Sequence, residues 1–218
     1  MKKLPFALVG ALVLAGCGSV RYPRNYVLNF PPPVPQAASS GGVPGAVAVR
    51  EFQCPEYLCE GRIVYRSSTE EVGFYEYHRW ALNPRQAITQ YIADGLRAQS
   101  LFKSVVLHER DSETAYVLSG NIERLEEVDE GRDVRAVCVI SARLLDARTR
   151  SVVWSQTTSE TVQVEKRDIP GVVSSLSSAA RTAVNRLLKS MAQELPATIA
   201  PARTGLGAGP QQARTDSR

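Results

Sequence analysis

The residues of this 218-residue chain best suited to covalent or acid–base chemistry are four cysteines and two histidines. Cys54 and Cys59 flank Pro55-Glu56-Tyr57-Leu58. In an oxidising compartment two cysteines so close together read as a disulfide. A redox centre needs the tighter C-x-x-C spacing, and a metal site lacks two further ligands. Cys138 falls on the apolar side of an alternating run and reads as a buried free thiol that behaves as a small hydrophobe. His78 and His108 are the available imidazole bases, but no G-x-S-x-G elbow accompanies them, and both read as surface or strand-end residues. Gly41-Gly42-Val43-Pro44-Gly45 is the nearest thing to a phosphate loop. No helix follows it to aim backbone N–H groups at a phosphate. No catalytic set, cofactor or metal is therefore expected. Cys17 stands apart, because it closes Leu14-Ala15-Gly16-Cys17 behind the basic Lys2-Lys3 and the apolar run Phe6 to Val13. Charged start, short apolar core and small residues make a secretory signal peptide over residues 1–16. The apolar run falls short of the ~20 residues needed to span a bilayer.

A cysteine directly after Leu-Ala-Gly resembles the lipobox of bacterial lipoproteins. That resemblance implies diacylglycerol on the Cys17 thiol, cleavage before it and acylation of the new amine. One acyl chain holds a protein only reversibly, whereas three make a lasting anchor. Gly18 and Ser19 follow, without the Asp that retains enteric lipoproteins at the inner membrane, which leans the expectation toward the outer membrane. The formal charge of +4 suggests no acidic partner. Lys2 and Lys3 leave with the signal peptide, and once Arg203, Arg214, Arg218 and Asp216 of the tail are set aside the remainder holds 21 basic and 21 acidic residues. A nucleic-acid binder should show a basic face, and none is expected here.

Residues 17–46 read as a lipidated N-terminus and tether, rich in proline, glycine and serine. The patch Tyr26 to Phe30 interrupts it and reads equally as a docked short strand or as part of the tether. Residues 47–196 form the expected domain, and 197–218, rich in Ala, Gly, Pro, Gln and Thr, a disordered tail. Strands are expected over Ala46–Phe52, Gly61–Arg66 and Val72–Tyr77. Asn83 then caps a helix that Pro84 opens, with Ile88, Ile92 and Leu96 at helical spacing to about Gln99. Phe102 to Leu107 leads into a strand, and longer strands follow at Ala115–Val128, Val134–Leu145 and Val152–Val164. The middle one alternates Val134, Ala136, Cys138, Ile140, Ala142 and Leu144 on one side. Short links make these an antiparallel meander with one face buried. A second helix opens at Pro170 and ends at Pro196, its stripe Val173, Leu176, Ala180, Val184, Leu187, Met191 spaced 3, 4, 4, 3 and 4. The fold class is α+β: a largely antiparallel sheet with two amphipathic helices on one face.

The aromatic group Phe74, Tyr75, Tyr77 and Trp80, with Tyr57 and Tyr65, carries two readings. One is sheet core with cross-strand pairing. The other is a contact for a partner protein or an acyl chain, beside Arg66 and Arg79, since aromatics and Arg favour interface centres. The charged stretch Glu123 to Asp133 reads as a solvated hairpin end.

These features together resemble the ABC-type transport auxiliary lipoprotein family, the PqiC-like group. The resemblance runs over roughly residues 17 to 195. It rests on the lipobox, Tyr26-Val27-Leu28, Pro55-Glu56-Tyr57-Leu58, Ile63-Val64-Tyr65-Arg66, and then Tyr75, Tyr77 and Trp80 ahead of Asn83-Pro84. Phe102, Val105, Val106 and Tyr116-Val117-Leu118-Ser119-Gly120 complete it. Cys54 and Cys59 lie outside that pattern. The resemblance implies a non-catalytic, periplasm-facing subunit of a lipid transport system. Its partners would be an MCE-domain protein and an ABC permease/ATPase complex, and a homo-oligomer is compatible with it. A lipoprotein assisting outer-membrane or lipopolysaccharide assembly is the alternative.

Overall fold

Three long strands dominate the computed structural model, which describes residues 22–35, 42–107 and 114–199. These are β6 (Tyr116–Glu130), β7 (Asp133–Asp146) and β8 (Val152–Gln163), an antiparallel meander that supplies most of the paired residues of an eight-stranded sheet. The alternation on β7 explains its packing: Val134, Ala136, Cys138, Ile140, Ala142 and Leu144 are all buried. They lie beneath α3 (Ile169–Ile199), whose Leu176, Ala180, Val184, Leu187 and Met191 are buried too. The second large helix, α2 (Pro84–Gln99), starts as expected. The Asn83 side chain accepts the Arg85 N–H at 3.0 Å, and Pro84 occupies the first turn, where its missing donor costs nothing. Both helices cover one face of the sheet; among the described residues the other face of the meander is bare of any large helix.

The remaining strands are short. They are β1 (Arg24–Tyr26), β2 (Val43–Val49), β3 (Arg62–Arg66), β4 (Val72–Trp80) and β5 (Phe102–Leu107), with a one-turn helix α1 (Glu56–Cys59) between β2 and β3. Here the sheet is mixed. β2 runs parallel to β5 and to the first part of β6, and β3 runs parallel to the last part of β6. One edge of β6 is therefore shared end to end: β2 at residues 116–118, a bridge from Gln53 to Asn121, then β3 at 127–128. α1 and the Cys54–Cys59 disulfide fill the interval, with a Cα–Cα distance of 6.2 Å that suits such a bridge.

Several boundaries differ from the sequence expectation for physical reasons. The early strand is Arg24–Tyr26 rather than Tyr26–Phe30, because it pairs in parallel with His78–Trp80 of β4. The residues after it dock by side chains: Leu28 is buried, Phe30 stacks on Tyr91 at 4.5 Å, and the Asn29 N–H donates to Ser177 Oγ at 3.0 Å. β2 begins at Val43, and a register shift between Val43 and Ala46 absorbs Pro44. Gly45 has φ +114, and a Cβ there would stand 2.6 Å from that of Ala115. The turn into the sheet thus needs glycine. α3 does not stop at Pro196 but runs three residues further. A proline in the final turn loses one backbone bond only, the buried Leu195 holds the turn down, and Thr198 Oγ1 donates to the Glu194 carbonyl at 3.0 Å. Residues 197–199 of the expected tail are helical, and Cys17, His108 and residues 200–218 lie outside the described residues.

Candidate functional site

The candidate residues converge on the wing formed by β1, β3 and β4 where it joins β6. The local cause is a bulge: Ile122 and Arg124 of β6 pair with the consecutive residues Ile140 and Val139 of β7, leaving Glu123 extra. One inserted residue exchanges the faces of everything after it. Leu125 thereby stays in the core opposite Cys138, Glu127 follows on the helix side opposite Ala136, and Glu126 turns to the bare face opposite Val137.

Both glutamates are buried, at 0% and 5% exposure, which overturns the expectation of a solvated hairpin end there. Glu126 is held by cations. Arg66 donates Nε and Nη2 to its two carboxylate oxygens at 2.9 and 3.1 Å, and Arg124 Nε reaches Oε1 at 2.6 Å. The bond to Glu126 raises Arg66 above its ordinary value against the opposing effect of burial, with Tyr57 of α1 adding in the same direction. On the other face the Tyr75 hydroxyl donates to Glu127 Oε2 at 2.6 Å. Burial pushes the Tyr75 phenol well above the usual range, and its carboxylate partner pushes it further. Burial also raises the Glu127 carboxyl; the Tyr75 hydrogen bond and the charge of Arg167 pull it down, and Asp129 pushes it up. Tyr65 tilts against Tyr75 with centroids 5.1 Å apart and covers Gly73 across the strand pair, a space that any side chain at 73 would take.

The other expected residues separate. Trp80 is 7% exposed and belongs to the core, which takes its ring away from any partner surface. Phe74 lies under the Arg62 guanidinium, 4.0 Å from the ring centroid. Tyr77 is exposed and shares a cleft with Tyr22, Arg24 and His78. His78 is not isolated: its Nδ1 lies 3.1 Å from the Tyr26 hydroxyl. Cys138 is a buried free thiol, raised to about 12 chiefly by burial. Glu126 and Glu127 were missed from sequence, although Ile122 and Leu125, two core residues an odd number apart in one strand, signal the bulge that buries them.

The bare face presents Ser119, Asn121, Ser141, Arg143, Ser155 and Thr157 around an open trough of about 900 Å³. Hydroxyls, amides and guanidinium groups so arranged can hydrogen-bond a polar surface; none is paired with a base that would activate it. Among the described residues no three His, Cys, Asp or Glu side chains are placed to hold a metal, and no helix is long and apolar enough to cross a membrane.

Comparison with known proteins adds the following. A family model described as ABC-type transport auxiliary lipoprotein component matches residues 26–192. No curated protein sequence matches. Among solved structures, protein XCC0632 from Xanthomonas campestris, of family DUF330, superposes with a TM-score of 0.69 at 16% identity, covering 83% of this chain and 99% of that one. An uncharacterized protein reaches 0.61 at 14% identity over 78% and 99%. The hypothetical protein CT253 from Chlamydia trachomatis reaches 0.50 at 9% over 71% and 99%. At these identities the likeness shows the fold.

Proposed function

Because the chain belongs to the ABC-type transport auxiliary lipoprotein family, we propose that it is the lipid-anchored, non-catalytic subunit of an MCE-type system that moves phospholipid-like molecules through the cell envelope. The observation that carries this reading is the extent of the family match, which begins in β1 and ends in the last turns of α3. It therefore takes in the sheet, both large helices and the candidate residues together. Cys17 is the proposed anchor, and Gly18-Ser19 after it favour the outer membrane as its seat. The bare face of the meander is the proposed docking surface for the MCE protein or the permease. Polar side chains exposed on a rigid sheet suit recognition of another protein, with the wing residues Tyr57 and Arg66 at the margin. Tyr65 and Tyr75 serve this surface from behind, by fixing the end of β6.

The test is copurification. Full-length, lipidated protein drawn from gently solubilised envelopes is expected to bring an MCE protein, a permease and an ATPase with it, and phospholipid by mass spectrometry. Recovery of an intact ABC complex without an MCE protein would overturn the MCE assignment while leaving the family standing.

A further inference from the structure

Within the segment expected to act as a tether, Arg24 to Phe30 is docked on the domain, and this changes where the domain sits. Arg24–Tyr26 is sheet, Leu28 is buried and Phe30 is stacked, so the chain is fixed to the domain from β1 onward. Tyr22, the first described residue, lies only five residues after Cys17. At full extension that interval spans at most about 18 Å. If Cys17 carries the lipid, Tyr22 stays within that distance of the bilayer surface, and Arg24 at the outer end of β1 within about 25 Å.

The side chains at that end are unusual for a water-facing edge. Among the described residues, Tyr22 is 80% exposed and Tyr77 on β4 38%; the other exposed large apolar side chains, Val27, Val34, Leu82, Leu107 and Val152, lie away from that end. Tyr22, Arg24, Tyr77 and His78 wall a cleft of about 410 Å³, and among the described residues no acidic side chain lines it. Tyr26 and Tyr75 brace His78 from within, with ring centroids at 5.6 and 6.1 Å. Tyrosines with an apolar body and a polar tip, set beside an arginine, match the headgroup layer, where aromatic rings settle and cations meet phosphate.

We propose that the Tyr22–Arg24–Tyr77–His78 cleft seats the domain in the headgroup layer of the membrane that carries its anchor, so that the lipid fixes the orientation of the protein as well as its address. The proposal rests on the lipidated-Cys17 reading. Orientation follows because β8, with Val152 at its start, belongs to the opposite margin of the sheet from β1.

Full-length lipidated protein is reconstituted into phosphatidylcholine–phosphatidylglycerol vesicles whose acyl chains carry bromine, a short-range quencher of indole fluorescence. Tyr22→Trp, Tyr77→Trp and Val152→Trp are compared with the parent, whose Trp80 and Trp154 are both buried and set the background. Rings seated at the headgroup–acyl boundary lie within reach of the bromines, so the emission added by Tyr22→Trp and Tyr77→Trp should fall about twofold. That added by Val152→Trp should not change. Equal quenching at all three positions, or none, overturns the seating. So does shielding of the Tyr22→Trp indole that depends on protein concentration and not on lipid, because a second copy is then the occupant. Mass spectrometry of the same sample reads acylation at Cys17 directly. Acylated protein without selective quenching refutes the seating alone, and unacylated protein refutes the anchor on which it rests.

Discussion

Glu126 and Glu127 are neighbours in one strand, yet they meet opposite solutions to the same problem. On the bare face, Glu126 is fully buried and gripped by two guanidinium groups. On the helix face, Glu127 is nearly as buried, and its hydrogen-bond partner is a neutral phenol. A buried charge is costly unless paired. At the first site Arg66 and Arg124 supply the opposite charge; at the second, burial raises the Glu127 carboxyl and the Tyr75 hydrogen bond offsets this only in part. A single bulge residue, Glu123, decides which glutamate goes to which face. The local chemistry of the wing is thus set by register as much as by residue type.

The comparison can be broken most forcefully at the ionic face. Arg66→Ala leaves a buried carboxylate with one partly exposed partner and should cost about 3 kcal/mol in a denaturant titration. A loss close to zero would mean that Glu126 is better solvated than its burial indicates. Glu127→Gln sharpens the other face. A carboxyl raised in the folded state binds its proton more tightly there than in the unfolded chain. Stability attached to it is full below the unfolded value of 4.5 and is lost as pH rises through the folded one. Removing it should flatten the fall in stability above that pH, while the glutamine oxygen still accepts from Tyr75. Melting temperatures measured across acidic to neutral pH would show this, and an unchanged slope would assign the effect elsewhere. The smallest change is Arg124→Ala, whose side chain is 39% exposed and whose carboxylate keeps Arg66, for an expected loss of about 0.5 kcal/mol.

The regions differ in the same way in how far the sequence revealed them. The meander and α3 are legible because their patterns are local: period two on β7, spacings of three and four on α3, an Asn-Pro cap on α2. The wing is assembled by parallel pairings between distant segments, and nothing in the alternation of β3 names Glu126 as the partner of Arg66, 60 residues away. The aromatic group was recognised by type, but its roles diverged with depth, Trp80 entering the core and Tyr77 reaching solvent. In the proline-rich N-terminal arm, Tyr26 to Phe30 reads equally as docked or as tether until the Tyr26 carbonyl is seen to accept the Ala81 N–H at 2.7 Å.

The shared edge of β6 also prescribes an order of assembly. Hairpins such as β6–β7 and β7–β8 close within microseconds, whereas parallel contacts across tens of residues wait for the ends of long loops to meet. β2 can pair with β5 and β3 with β4, but these two pairs are joined into one sheet only along β6, each on its own stretch of it. The meander should therefore serve as the template on which the rest of the chain is laid. The Cys54–Cys59 staple, midway along that rail, keeps the two late arrivals in sequence.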